Sequence, residues 1–170
     1  PRFRFGLGSD EGYGLAEATL MLSCMRRDRS CVIRRFRTDF LERNRAVEAA
    51  PSEAGTRALV SCGTAPLDDP LIVVEPQTRT RLPDGEVGEI WAGGPSVARG
   101  YWNRGEESEE IFRARLADTG EGPFLRTGDL GFLHKGEIFI TGRMKDLIIV
   151  GGANHYPQDI EETCVAAHPA

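Results

Sequence analysis

With 170 residues, 40% of them hydrophobic and 28% charged, the chain is long enough for one compact domain or parts of two, and its composition supports a buried core. Its 26 acidic and 21 basic residues are spread along the sequence and leave a net charge of −5, which removes the electrostatic case for nucleic acid or an anionic membrane as partner. No apolar run approaches the roughly 18 residues of a membrane span, and Cys24, Cys31, Cys62 and Cys164 form no CxxC pair and have no His at metal-ligand spacing, so a reducing compartment fits and neither zinc nor a redox motif is indicated.

The opening "PRFRFGLG" reads as a strand and a turn. Ala and Leu at helical spacing in "YGLAEATLML" then predict a helix beginning after Gly14. Residues 23–57 are rich in Arg and Glu, with small apolar groups around Val32, Ile33, Phe36, Phe40 and Leu41 and a breaker cluster "AAPSEAGT". They read as an insertion, partly helical, with Arg26, Arg27, Arg29, Arg34, Arg35 and Arg37 on a solvated face. From Ala58 the runs "ALVSCG", "LIVVEP", "GEIWAGG" and "EIFITG" predict strands, and the Pro-Asp-Gly turn in "LPDGEVGE" predicts an antiparallel hairpin from the second and third. "ESEEIFRARLA" predicts a short helix carrying Ile111, Phe112 and Leu116, with its acids near the favourable end of the dipole. "LIIV" predicts another strand, and "YPQDIEETCVAA" a last helix with Pro157 in its first turn. The start at Pro1 and the end soon after this helix opens predict a piece of a longer protein.

Three stretches carry residue types suited to chemistry. In "YGLAEAT", Tyr13 offers a flat ring, Gly14 close backbone approach, and Glu17 a hard oxygen ligand for a cation such as Mg2+. The same residues also fit a buried tyrosine in a loop and an acid at a helix start. In "LRTGDLGF", Asp129 on a Gly-flanked turn at a strand end can accept two hydrogen bonds from a ribose diol, or it can bond its own backbone as turn aspartates do. In "GRMKDLIIVGGANHYPQDIEE", Arg143 emerges at a sheet edge, and Lys145 and Asp146 form a charged connector that is either a hinge between two bodies or an ordinary hairpin turn.

Taken together, "YGLAEATL", "GEIWAGGPSVARGYWN", "FLRTGDLGF" and "GRMKDLIIVGGANHYPQDIEE" resemble, in order and over nearly the whole chain, the later core motifs of the adenylate-forming superfamily. The "YGLAEATL" form, "NHYPQDIE" and the position of segment 23–57 resemble the fatty acyl-AMP ligases within it. This resemblance implies an α/β (α+β) fragment. Residues 1–143 would close the large AMP-binding domain, with 23–57 as the family-specific insertion and 58–143 as an antiparallel, β-barrel-like subdomain. Residues 144–170 would form the hinge and the start of the small C-terminal domain.

It also implies ATP/AMP and Mg2+ as cofactors. Tyr13 would stack on adenine with Gly14 allowing the approach, Glu17 would hold the metal, Asp129 and Arg143 would bind ribose, and Lys145 would be the hinge. The implied reaction is activation of a fatty acid to acyl-adenylate for transfer to an acyl carrier protein or a polyketide or peptide synthase carrier domain, in the cytoplasm, with the isolated fragment inactive. Two alternatives stand beside it: a fatty acyl-CoA synthetase and a non-catalytic β-rich interaction module.

Overall fold

Short runs of β-branched and aromatic residues dominate the second half of the sequence, and a computed structural model of the protein folds them into a sheet buried on both faces; it is described for residues 2–6, 9–25, 31–65 and 69–167. The central sheet has four strands in the order β6-β7-β8-β9: β6 (Leu71–Val74), β7 (Gly88–Ala92), β8 (Leu125–His134) and β9 (Glu137–Arg143). It is flanked by β1 (Arg2–Gly6), β2 (Ser9–Tyr13) and β3 (Ser23–Cys24) as a three-stranded sheet, and by β4 (Ile33–Arg37) paired with β5 (Thr56–Val60). A final hairpin joins β10 (Ile148–Val150) to β11 (Ala153–His155). The helices are α1 (Thr38–Leu41), α2 (Gly105–Phe112) and α3 (Pro157–Ala167).

Every strand pairing within these sheets is antiparallel. The residues after β5 stitch the sheets together, because Ser61 bridges Phe139, Cys62 N–H donates to the Ile138 carbonyl and Thr64 bridges Cys24. This gives the barrel-like continuity expected of the β region. Side chains alternate across the central sheet as the period of two requires. Ile90, Ala92, Leu125 and Ile138 face one core with Tyr13 and Leu22, while Trp91, Phe132 and Phe139 face the other side.

Segment 23–57 differs from the solvated insertion expected. Among its described residues, β4 alternates so that Phe36 is fully buried, and α1 buries Leu41. The Phe36 ring meets Phe132 edge-on at 4.9 Å and Phe139 at 5.4 Å, which anchors the segment to the central sheet while its arginines point outward. Arg26, Arg27 and Arg29 lie outside the described residues. The helix predicted after Gly14 is also replaced, by a single 3-10 turn over Ala16–Ala18. Thr19 takes a left-handed φ of 65° and the chain doubles back so that Leu22 N–H donates to the Tyr13 carbonyl, which pairs β3 with β2. Leu116 is not on α2, which ends at Phe112; it is buried against Trp91 and Phe124 beyond the helix. No helix among the described residues is long and apolar enough to cross a membrane.

One polar cluster fastens the segment to the β8–β9 hairpin. The Glu48 carboxylate receives Lys135 Nζ at 2.6 Å, His134 Nε2 at 2.8 Å and Arg34 Nη1 at 2.9 Å. Lys135, then His134, hold its pKa down at about 2, below the 4.5 of a free glutamate. A folded pKa below the unfolded one contributes stability that is present above about pH 4.5 and lost as the pH falls toward 2. Because the group is largely solvated, Glu48→Gln should cost no more than about 1 kcal/mol near neutral pH. Thermal melts of the two proteins should converge between pH 4.5 and 2; a gap that persists at pH 2 would contradict the assignment.

Candidate active site

The ends of β8 and β9 bring together residues far apart in the sequence. Asp129 lies opposite Arg143 in the strand register, and Arg143 Nε is 3.3 Å from Asp129 Oδ1. The other oxygen, Oδ2, accepts the Tyr13 hydroxyl at 2.8 Å. Asp129 is 5% exposed, so both of its oxygens are held in a largely water-free position next to a cleft. Burial, followed by the Asp129 charge, pushes the Tyr13 phenol far up, and it therefore remains a proton donor throughout the working range.

Asp129 is not on a turn at a strand end. It sits within β8, on a bulge: Trp91 pairs with Arg126 and Glu89 pairs with Leu130, so Thr127, Gly128 and Asp129 together face the single residue Ile90. Gly128 adopts φ +70°, a conformation that costs glycine little, and it turns the strand so that Asp129 faces Arg143. The bulge explains why a sequence with turn chemistry continues as a strand.

Across the cleft, the 3-10 turn carries Glu17. Its backbone carbonyl accepts Ala98 N–H, and its Oε1 accepts the Tyr101 hydroxyl at 2.7 Å. Burial and this bond to Glu17 push the Tyr101 phenol up to about 12. Oε2 of Glu17 has no partner among the described residues. The floor is formed by Glu89, a buried carboxylate bound to Trp91 Nε1 at 2.8 Å and paired with Arg126 Nη2 at 3.0 Å.

The resulting cleft has a volume of about 690 Å3, and its lining includes Glu17, Tyr101, Glu89, Arg126, Asp129, Arg143 and Lys145. Thus Glu17, Asp129, Arg143 and Lys145 meet at one cavity. Tyr13 is 4% exposed and lies behind Asp129, and Gly14 is beside it; neither is part of the lining. Lys145 is exposed, in the 3-10 turn Met144–Asp146 that joins β9 to β10. Glu89, Arg126 and Tyr101 were not singled out from the sequence. The available signal was an acid inside an otherwise apolar strand, "GEIWA", which demands a buried partner.

A buried carboxylate beside a guanidinium, an amine at the rim and a free carboxylate oxygen opposite suit a ligand that combines hydroxyl groups, phosphate and a hard cation. That chemistry and this architecture agree with the family assignment. The chain belongs to the AMP-binding enzyme family, which matches residues 4–102. It is 49% identical over 160 residues to the medium-chain-fatty-acid–[acyl-carrier-protein] ligase JamA of Moorena producens, covering 93% of this chain and 27% of that protein. The long-chain-fatty-acid–AMP ligase FadD32 of Mycobacterium marinum is 40% identical over 161 residues, with 89% and 26% covered. The crystal structure of the fatty acyl-adenylate ligase of Legionella pneumophila, in complex with acyl adenylate and pyrophosphate, superposes with a TM-score of 0.73 at 40% identity, over 93% of this chain and 27% of that one. The chain therefore spans about a quarter of the length of these relatives.

Gly14 is placed by close approach rather than by an unusual φ. A Cβ there would stand 1.6 Å from the Leu20 carbonyl oxygen and 2.6 Å from its carbon, both backbone atoms that cannot swing aside. Gly14→Ala should therefore cost about 3 kcal/mol by forcing the 15–21 loop off Tyr13. Urea unfolding measures this, and a change within error would mean that the loop does not close as described.

Proposed function

We propose that the whole protein is a fatty acyl-AMP ligase: it joins a fatty acid to ATP, giving acyl-adenylate and pyrophosphate, and passes the acyl group to the phosphopantetheine thiol of an acyl carrier protein or a polyketide or peptide synthase carrier domain. The observation that carries this reading is the convergence of Glu17, Asp129, Arg143 and Lys145 on one cleft although they are spread from residue 17 to residue 145. In this reading Asp129 and Arg143 bind the ribose hydroxyls. Tyr13, expected to stack on adenine with Gly14 allowing the approach, is buried behind Asp129 and does not line the cleft, so its part in this reading is to hold the Asp129 carboxylate. The reaction is set in the cytoplasm.

Glu17 fits the magnesium role by the chemistry of its oxygens. One is fixed by Tyr101, and the other is free of protein partners among the described residues. No group of three or more His, Cys, Asp or Glu side chains able to hold a metal occurs among the described residues. This matches Mg2+, which is commonly held by one or two carboxylates together with substrate phosphates and water. When bound, the ion would neutralise charge building on the phosphates.

Transfer to a carrier rather than to CoA draws support from the contact between segment 23–57 and the residues after the hinge. Asn154 N–H donates to the Glu42 carbonyl at 3.0 Å and Asn154 Nδ2 to Asn44 Oδ1 at 2.6 Å, while Tyr156 is buried beside Phe36 and Leu41 under the Arg57 guanidinium. These contacts restrain the start of the mobile body.

In the full-length protein, fatty-acid-dependent ATP–pyrophosphate exchange should be observed, and Asp129→Ala should raise the KM for ATP about tenfold or more through loss of charged hydrogen bonds. Acyl-AMP should accumulate with CoA present; acyl-CoA as the product would overturn the ligase reading. The 170-residue chain alone should show no exchange. Lys145→Pro should impair one half-reaction more than the other, since the pivot matters for the switch between them. Equal loss in adenylation and transfer would count against the hinge role.

A further inference from the structure

The bulge that carries Asp129 has lost the ladder hydrogen bonds that hold an ordinary strand, because three residues of β8 face one residue of β7. Two side chains replace those bonds. Glu89 Oε1 accepts Gly128 N–H at 3.2 Å, while its Oε2 accepts Trp91 Nε1 at 2.8 Å and Arg126 Nε at 3.0 Å. Thr127 Oγ1 donates to the Ile90 carbonyl at 2.7 Å and accepts Asp129 N–H at 3.1 Å. The backbone on both sides of the Gly128–Asp129 peptide is therefore fixed by side-chain groups from positions 89 and 127.

A carboxylate is an unusual choice for this place. Glu89 is 1% exposed, and its burial in a strand is tolerable only because every donor around it is satisfied by it and its charge is answered by Arg126. Arg126 is itself stretched over the Trp91 ring at 5.8 Å, and among the described residues the other acid it meets is Glu110 at 3.6 Å. Oε2 also satisfies the N–H of the fully buried Trp91, but the bond from Gly128 N–H to Oε1 serves the bulge alone. Its geometric effect is to fix the bulge, and the bulge aims Asp129.

We propose that Glu89, with Thr127, is a positioning residue for nucleotide recognition: the pair clamps the Thr127–Asp129 bulge so that the Asp129 carboxylate stays aimed at the vicinal hydroxyls of a ribose. This inference rests on the reading of the cleft as a nucleotide site. It adds a specificity determinant whose polar atoms are taken up by protein partners and which acts through Asp129. A charged clamp holds such an angle more tightly than neutral hydrogen bonds, because its bonds are charge-assisted and screened from water.

The test compares ATP with 2′-deoxy-ATP in the full-length ligase, using the ratio of kcat/KM values for the two. A site built to bond a hydroxyl discriminates strongly against the analogue lacking it, whereas general loosening lowers both substrates alike. Asp129→Asn serves as the reference. Glu89→Gln keeps the size but replaces one acceptor by a donor facing donors, and Thr127→Val removes the hydroxyl without burying a charge. Both should reduce the preference for ATP on the order of tenfold, chiefly through KM, as Asp129→Asn does.

If Asp129→Asn leaves the preference intact, the ribose reading fails and this inference fails with it. If Asp129→Asn collapses the preference while Glu89→Gln and Thr127→Val lower both substrates equally, the nucleotide reading survives and the clamp is overturned. Should Glu89→Gln fail to fold, judged by loss of the tryptophan near-ultraviolet signal, Thr127→Val decides alone: an unchanged ratio in that variant also overturns the clamp.

Discussion

A carboxylate buried in a β-sheet must have its charge answered locally, and this constraint organises the second half of the molecule. Asp129 and Glu89 both sit in the central sheet at 5% exposure or less, and each is paired with an arginine from a neighbouring strand. Removing one partner of a buried pair typically costs about 3–5 kcal/mol, a figure that applies to Glu89–Arg126, whereas Arg143 is half-exposed and its pairing with Asp129 is weaker; together the two pairs help fix the register of β7, β8 and β9. The consequence for function is geometric. Asp129 is presented by the most strongly determined part of the sheet, whereas Glu17 and Lys145 come from short 3-10 turns at its margins.

In the proposed reading, that division lets the chain combine a rigid site with a movable neighbour. On the rigid side, β8 and β9 are paired along their length and packed through the Phe36, Phe132 and Phe139 rings. Beyond Arg143 the pairing stops, and the next element is a three-residue turn followed by a hairpin whose β10 residues are all exposed. What tethers that hairpin is a small set of contacts, the Asn154 bonds to Glu42 and Asn44 and the burial of Tyr156. In the proposed reading, these contacts are the restraint that a rotation about Lys145 would break, in contrast with the sheet on which the hairpin rests.

Much of this was legible in the sequence. Runs such as "LIVV" and "GEIWA" specify strands because alternate residues must face two cores, and the Pro-Asp-Gly turn between them specifies their antiparallel return. The fate of Phe36 was not legible, since one aromatic ring among arginines has the same local pattern whether it is solvated or inserted between two distant phenylalanines. Nor was the loop after Tyr13, where helix propensity in "LAEATL" is overridden by tertiary bonds, Ala98 N–H donating to the Glu17 carbonyl and the Thr19 hydroxyl to the Ser96 carbonyl. The bulge at Asp129 was hidden for a related reason: the "TGD" run has turn chemistry, and only the partner strand reveals that the turn is absorbed into a ladder.

The charges of the cleft itself carry the last step. Its lining holds five acids, Glu17, Glu89, Glu107, Glu110 and Asp129, against three bases, Arg126, Arg143 and Lys145. Arg126 is committed to Glu89 and also faces Glu110, Arg143 pairs with Asp129, and Glu107 pairs with Arg104 just outside the lining, so among the described residues Glu17 is the lining acid without a basic partner. A polyphosphate entering these walls alone would meet net repulsion, and at the reduced dielectric of a cleft that repulsion is only partly screened. In the proposed reading, a divalent cation at Glu17 would offset the repulsion between that carboxylate and the phosphates. The Tyr101 hydroxyl fixes Glu17 through Oε1, which leaves Oε2 without a partner among the described residues and able to meet that cation.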